Sequence, residues 1–201
     1  MLQQKAEIQE LTNRELWIAI RPGNSSWHRA NFQHIKRGFC ELLLRRGLHL
    51  PRMYGSLWLS IGDQNLGLVS LQKITTVGVA FIVDALQNIT ELDLIRYHAW
   101  GIGGGTEQIS DTQLGTELTT QITPPNLRTT GSLLEGTAPN IFKTVGLTLI
   151  NTGVTLQEFG IFTSVSVGSP VLIDRTVFAV RAVSANLTIT SRYLLTVPAG
   201  G

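Results

Sequence analysis

The residues with chemical potential in this chain are few and scattered. His98 stands two positions before Trp100, and the run Gly101-Ile102-Gly103-Gly104-Gly105 follows directly. A phosphate-binding loop needs a lysine followed by Ser or Thr at the end of such a run, and no lysine stands there. The dinucleotide pattern Gly-x-Gly-x-x-Gly also fails, and no strand–helix–strand unit surrounds the run. The glycines then serve a turn with positive φ or a close backbone approach. A metal at His98 would need further ligands, and Asp93, five residues away on a strand, faces the opposite way. His98 is therefore expected to be a packed, hydrogen-bonded core histidine. Cys40 and His34, six residues apart on a helix, fall on different faces and cannot form a nucleophile–base pair locally. Glu91, Asp93, Glu107 and Asp111 show no spacing that would pair them for acid–base work. No catalytic, cofactor-binding or metal-ligating residue is assigned, and the chain is not expected to be an enzyme.

Composition narrows the class. Only 15% of the 201 residues are charged, and 20 are glycine. That fits a β-rich domain with a Thr, Ser and Asn surface, or one partly covered by neighbours. One cysteine excludes an internal disulfide. Met1 to Glu10 is polar, so no signal peptide is expected, and Val77 to Leu86 is too short to span a bilayer. The three Asn-x-Ser/Thr sequons, at Asn24, Asn88 and Asn186, are read as chance. Net charge is +2 but uneven. Residues 1–65 carry nine basic against five acidic side chains, a net of +4, which leaves seven against nine, or −2, for the rest. A basic segment on a mildly acidic body suits an acidic partner surface or, more simply, a solvated helix face.

Periodicity sets the elements. Residues 1–20 carry a helical pattern that Arg21-Pro22-Gly23 stops. Asn31 is the expected N-cap of an amphipathic helix through Phe32, Ile35, Phe39, Leu42 and Leu43. Arg45 and Arg46 lie in its last turn and Gly47 at its C-terminal cap. Leu57 to Ile61 suggests a short strand and Gly62 to Asn65 a turn. A boundary is placed at 65/66, where Trp, His and Met become scarce. A second helix is expected over about 71–88, capped by Thr75 or Thr76. A strand is expected over Leu94–Trp100, a long loop over Thr106–Gln121 and a strand over Leu127–Leu134. Four β-rich runs then fill Ile141 to Val197. Leu187, Ile189, Tyr193, Leu195 and Val197 fall in an alternating run, the mark of a half-buried antiparallel strand. Val177–Val183 is apolar on both faces apart from Arg181, so a central strand, or one covered by a second sheet or subunit, is expected. The fold expected is mainly β with N-terminal helices: an antiparallel β-sandwich or jelly-roll-like body, residues 66–201, preceded by a basic helical arm, residues 1–65.

The order of several motifs resembles a known group. These are Tyr97-His98-Ala99-Trp100-Gly101-Ile102-Gly103-Gly104-Gly105-Thr106, Ser110-Asp111-Thr112-Gln113-Leu114, Arg128 to Ser132 and Glu135 to Phe142. Glu158-Phe159-Gly160-Ile161-Phe162, Leu172 to Phe178 and Leu195 to Gly201 continue the order. Over roughly residues 71–201 the chain resembles small structural proteins of tailed-bacteriophage particles, described as head decoration (cement) or tail-fibre-like proteins. The resemblance implies a virion component assembled in the bacterial cytoplasm, in contact with major capsid subunits and self-associated as a homotrimer. It implies no catalytic residue, no cofactor, no membrane and no specific nucleic acid. Within the arm, Trp17, Trp27, Phe39 and Trp58 are candidate interface anchors, with Arg45 and Arg46 beside them, because aromatics and Arg dominate interface energetics. The alternatives are a tail, fibre or baseplate attachment module and a glycan-binding β-sandwich. The last would use Tyr97 and Trp100 near Asp93, which fall on different sides of a strand.

Overall fold

A computed structural model describes residues 25–46, 53–136, 138–168 and 171–197, with the side chains of 40–46 outside that description. Two antiparallel sheets pack face to face. The first contains β1 (Tyr54–Ile61), β2 (Gln64–Lys73), β4 (Ile122–Thr123), β6 (Ser132–Glu135), β7 (Ile141–Ile150) and β10 (Thr188–Thr196). Its order is β2-β1-β10-β7-β4, and β6 also pairs with β7. The second sheet, in the order β5-β3-β8-β9, contains β3 (Tyr97–Gly101), β5 (Thr129–Thr130), β8 (Val154–Phe162) and β9 (Leu172–Val183). Helix α1 (Ser26–Arg46) precedes the strands, and α2 (Thr76–Leu86) and a short 3₁₀ turn (Leu92–Leu94) join β2 to β3. The mainly β sandwich with a leading helix is the architecture that the alternation predicts. Its core interleaves Leu57, Leu59, Ile189 and Tyr193 from one sheet with Trp100, Phe159, Ile161 and Phe178 from the other.

Each sheet would end in an exposed edge at β2 and at β9. Strand edges carry unpaired N–H and C=O groups that must be satisfied or covered. Helix α1 lies along both edges. The Asn31 amide donates to Val69 O on β2 at 2.9 Å and accepts from Ala179 N on β9 at 2.9 Å. Trp27 Nε1 donates to Ala179 O at 2.9 Å, and His28 Nε2 reaches Leu66 O at 3.3 Å. Further along, Ile35 and Phe39 pack on Leu68 and Leu71. At Gly38 the helix backbone comes so close that a Cβ would lie 1.9 Å from Leu71 O. Positions 27, 31, 35 and 38 share one helical face, so one stripe supplies the apolar packing, the polar plugs and the glycine contact.

Four expectations are corrected. Asn31 is no N-cap: the helix begins at Ser26, the Ser25 hydroxyl accepts from His28 N at 3.2 Å, and Asn31 is 1% exposed inside the helix. The second helix does not begin at about 71. β2 runs through Lys73, and α2 starts at Thr76 behind the Thr75 cap, whose hydroxyl accepts from Gly78 N. β2 hid its period because its second half is buried on both faces and its pairing with β1 contains register shifts. Of the two readings of Val177–Val183 the central strand is the one corrected, because β9 is an edge strand. Its first half, Leu172 to Phe178, is buried on both faces, with α1 and α2 packed against the strand and Gly78 of α2 against Ile173, while Val180 and Ala182 are exposed. Finally, the 65/66 boundary falls inside the β1–β2 hairpin, and Trp27 and Leu57 share a core with Phe178.

Removing the Asn31 amide strands a buried acceptor on one sheet and a part-buried donor on the other. Each stranded group costs about 1–3 kcal/mol. Asn31→Ala is therefore expected to lower the unfolding free energy by about 2–4 kcal/mol in urea titrations, while the exposed neighbour change Gln33→Ala stays within about 0.5 kcal/mol of the wild type.

Candidate functional site

The glycine run does bind an anion, and the anion is a side chain of the same protein. Glu158 on β8 is fully buried. Its Oε1 accepts from Gly103 N at 2.9 Å and from Thr116 N at 2.7 Å. Its Oε2 accepts from Gly115 N at 2.9 Å and from Arg175 Nε and Nη2 at 3.0 and 2.8 Å. A Cβ at Gly101 or Gly103 would sit 2.5 Å from Glu158 Oε1, so these positions are glycine because the backbone must close on the carboxylate. Arg175 also donates from Nη1 to Asp111 Oδ2 at 2.9 Å and from Nη2 to Gly105 O. Burial alone would weaken the guanidinium's hold on its proton, but Asp111 and Glu158 raise it above the ordinary arginine value. Glu158, Arg175 and Asp111 thus fasten the 101–116 loop to the second sheet.

A second polar group lies between the sheets. His98 is completely buried, as expected of a core histidine. Its Nδ1 lies 2.7 Å from Ser191 Oγ and its Nε2 3.1 Å from Thr144 Oγ1. A serine on an imidazole is the start of a nucleophile–base pair. Here the second ring nitrogen meets a hydroxyl where a triad would place a carboxylate. Ser191 is itself fully buried, so no substrate reaches it. Burial pushes the His98 pKa down to about 3, and the ring stays neutral. Gly131 and Gly146 leave room for the ring. Trp100, also fully buried, donates to Thr148 Oγ1 at 3.0 Å, so of the two aromatics a glycan platform would use only Tyr97 is partly exposed.

A cleft of about 250 Å³ opens between α1, the end of β2 and the 106–109 segment. Glu107 in its wall accepts from Arg37 at 2.5 Å and from Gln72 at 3.0 Å. Nearby, the Asp174 carboxylate fills the space that Gly55 leaves, against Tyr193. Burial drives the Asp174 pKa up to about 7, with the Tyr193 hydroxyl opposing and the Glu107 charge assisting. Among the described residues no group of three or more His, Cys, Asp or Glu side chains is placed to hold a metal ion.

The expected anchors separate. Trp27 and Phe39 are buried within this chain, and Trp58 is half-buried beside α1. Trp17 lies outside the described residues, and Arg45 and Arg46 lie in the last turn of α1 with their side chains outside the description. What the anchor list missed is apolar surface elsewhere. Val79, Val83 and Leu86 line the outer face of α2, with Ile89 and Leu92 just beyond it. Leu147 and Leu149 stand on the outer face of β7. The signal for the first patch was available: one charged residue, Asp84, in an eleven-residue helix whose buried side needs only Gly78 and Phe81. Comparison with known protein families, with curated proteins and with solved structures finds no match to this chain.

Asp174 and His98 pull stability in opposite directions with pH. Asp174 keeps its proton up to about 7 when folded and loses it near 3.8 when unfolded, so its contribution falls as pH rises through that window. His98 takes a proton near 6.5 when unfolded and near 3 when folded, so its contribution rises with pH between those values. Between pH 3.8 and 6.5 the two slopes oppose. In Asp174→Asn the falling slope disappears. The variant's stability relative to wild type is expected to climb by about 1.4 kcal/mol per pH unit across this window, read from urea midpoints at successive pH values.

Proposed function

We propose that this chain is a non-enzymatic structural component of a tailed-bacteriophage particle: a head decoration (cement) protein seated on the major capsid subunits, self-associated, and assembled in the bacterial cytoplasm. The observation that carries the reading is the contrast between a closed polar interior and an open apolar exterior. The reactive-looking groups, His98 with Ser191 and Glu158 with Arg175, are buried and bonded to the chain itself. Large apolar side chains are instead displayed at several places on the surface, with Leu86 76%, Leu147 64% and Ile109 and Val180 53% exposed. Exposed apolar patches rimmed by polar groups are what a protein covered by neighbours presents.

The resemblance supports the same reading in structural terms. Four of its segments, Gly101 to Thr106, Ser110 to Leu114, Glu158 to Phe162 and Leu172 to Phe178, meet at the Glu158–Arg175–Asp111 cluster. A shared order of motifs that converges on an internal fastening speaks for a shared scaffold more than for a shared reaction.

The test is the copy number of this chain in purified particles, by quantitative mass spectrometry against the major capsid protein. A ratio near one per capsid subunit, or one per three, is the expected result. A handful of copies per particle would assign the chain to the tail or its fibres, and absence from particles would overturn the virion reading.

A further inference from the structure

Buried polar atoms are nearly always hydrogen-bonded. Among the described residues eight buried side-chain nitrogen and oxygen atoms are not, and five of them gather in one place: both oxygens of Asp174, Tyr193 Oη, Glu107 Oε2 and His34 Nδ1. Asp174 on β9 is 2% exposed and Tyr193 on β10 1%. Their polar tips come together over Gly55 of β1, where a Cβ would lie 1.9 Å from Asp174 Oδ2 and 2.6 Å from Tyr193 Oη. The charge of Glu107 reaches both Asp174 and His34. Glu107 uses one oxygen twice, since Oε1 accepts from both Arg37 of α1 and Gln72 of β2 while Oε2 has no partner. Three of the five atoms are carboxyl oxygens, and the donor facing them is one hydroxyl. His34 adds no positive charge, because burial first and the Arg37 charge second hold its pKa down against Glu107 and the Val177 backbone. The remaining neighbours are occupied or neutral here. Arg175, next along β9, is bonded to Glu158 of β8 and to Asp111. β1 carries no charged residue, the one charge of α2, Asp84, is exposed, and Lys73 at the end of β2 lines the cleft beyond Gln72. A proton on Asp174 is therefore the smallest addition that supplies the missing donor, and burial holds it there up to about 7.

We propose that Asp174 is a proton-operated latch on the cleft: with its proton in place Glu107 stays on Arg37 and Gln72, and when the proton leaves, Glu107 and the 106–109 segment swing outward. An ionised Asp174 would be a buried carboxylate with no hydrogen bond, beside a second carboxylate. Asp174 is fixed within a paired strand, opposite Ile161 of β8. Glu107 sits on a segment outside any helix or strand, so it is the group that gives way. The movement is bounded, because Arg175 holds Gly105 O on one side of the segment and Asp111 Oδ2 on the other. It breaks the bond from Thr76 N to Ile109 O, releases Arg37 and Gln72 into the cleft, and lets water reach Asp174. In the open form the Asp174 pKa falls back toward 3.8, so opening becomes easier as pH rises and levels off above about 7, where the closed form has also lost the proton.

The experiment is residue-resolved amide hydrogen exchange on the full chain, followed by NMR and corrected for the intrinsic rate at each pH. The Thr76 amide, bonded to Ile109 O, and the Gln108 amide, bonded to Asp111 Oδ2, report on the segment. Both are expected to lose protection by about tenfold or more between about pH 5 and pH 7, and no further above that. Amides of the β7–β10 ladder open only with the whole fold, where the His98 slope opposes that of Asp174, and are expected to keep their protection. In Asp174→Asn there is no proton to lose, and the Thr76 protection is expected to stay level. Tyr193→Phe removes the hydroxyl that favours the ionised carboxyl, so the levelling point is expected to move to higher pH, and this variant decides the matter if Asp174→Asn does not fold. A wild type with level Thr76 protection, a fall that persists in Asp174→Asn, an unmoved levelling point in Tyr193→Phe, or an equal fall in the ladder amides would each overturn the latch.

Discussion

The Asn31 side chain holds together two sheets that have no strand in common along that side. Its carboxamide presents an NH2 donor group and a carbonyl acceptor side by side. It uses both, one on Val69 O of β2 and one on Ala179 N of β9. Ser70 Oγ and Thr176 Oγ1 meet at 2.9 Å beside it, so the seam continues as a direct contact between the strands. Without the helix, two edges with unpaired backbone groups would face solvent, and an exposed strand edge is a site for unwanted pairing. Over the described residues the helix and the sandwich share one core, in which Trp27 meets Leu57 and Phe178.

The interior uses its charged and polar groups in the same way, as fasteners. A buried ion pair such as Glu158–Arg175 is weak evidence for stability, because desolvation offsets the attraction. What it does supply is position: four backbone or side-chain partners on one carboxylate leave the 101–116 segment a single way to lie. Arg128 repeats the device against Glu117 at 2.7 Å, under the ring of Phe162. His98, Ser191 and Thr144 hold the facing strands at fixed register through hydroxyl groups. A molecule fastened in this way keeps its outer surfaces at fixed mutual geometry.

Much of the architecture was legible because it is local. The alternation of Ile189, Tyr193 and Leu195 with Thr188, Thr190 and Arg192 marks β10, and the turn residues around it mark its neighbours. The lone reading of His98 as a core residue followed from the lack of any partner within reach on its strand. The failures share one cause. Asn31 looks like a cap because small polar residues cap helices, and only the presence of two strand edges at that point explains why it sits mid-helix. β2 and β9 lose their period because helices cover the face that solvent would otherwise have marked. Trp27 and Phe39 look like interface anchors because nothing in the sequence shows that their partners lie at Ala179 and Leu71.

The sequence by itself determined the class of fold, the absence of a disulfide within the chain and the positions of most strands, since strand period, turn chemistry and cysteine count need no knowledge of distant neighbours. The tertiary structure decided what each polar residue is for. Glu158 and Arg175 lie 17 positions apart on adjacent strands, and His98 and Ser191 lie 93 apart on opposite sheets. Which apolar residues remain exposed was decided there too, because exposure depends on what the rest of the chain has already covered.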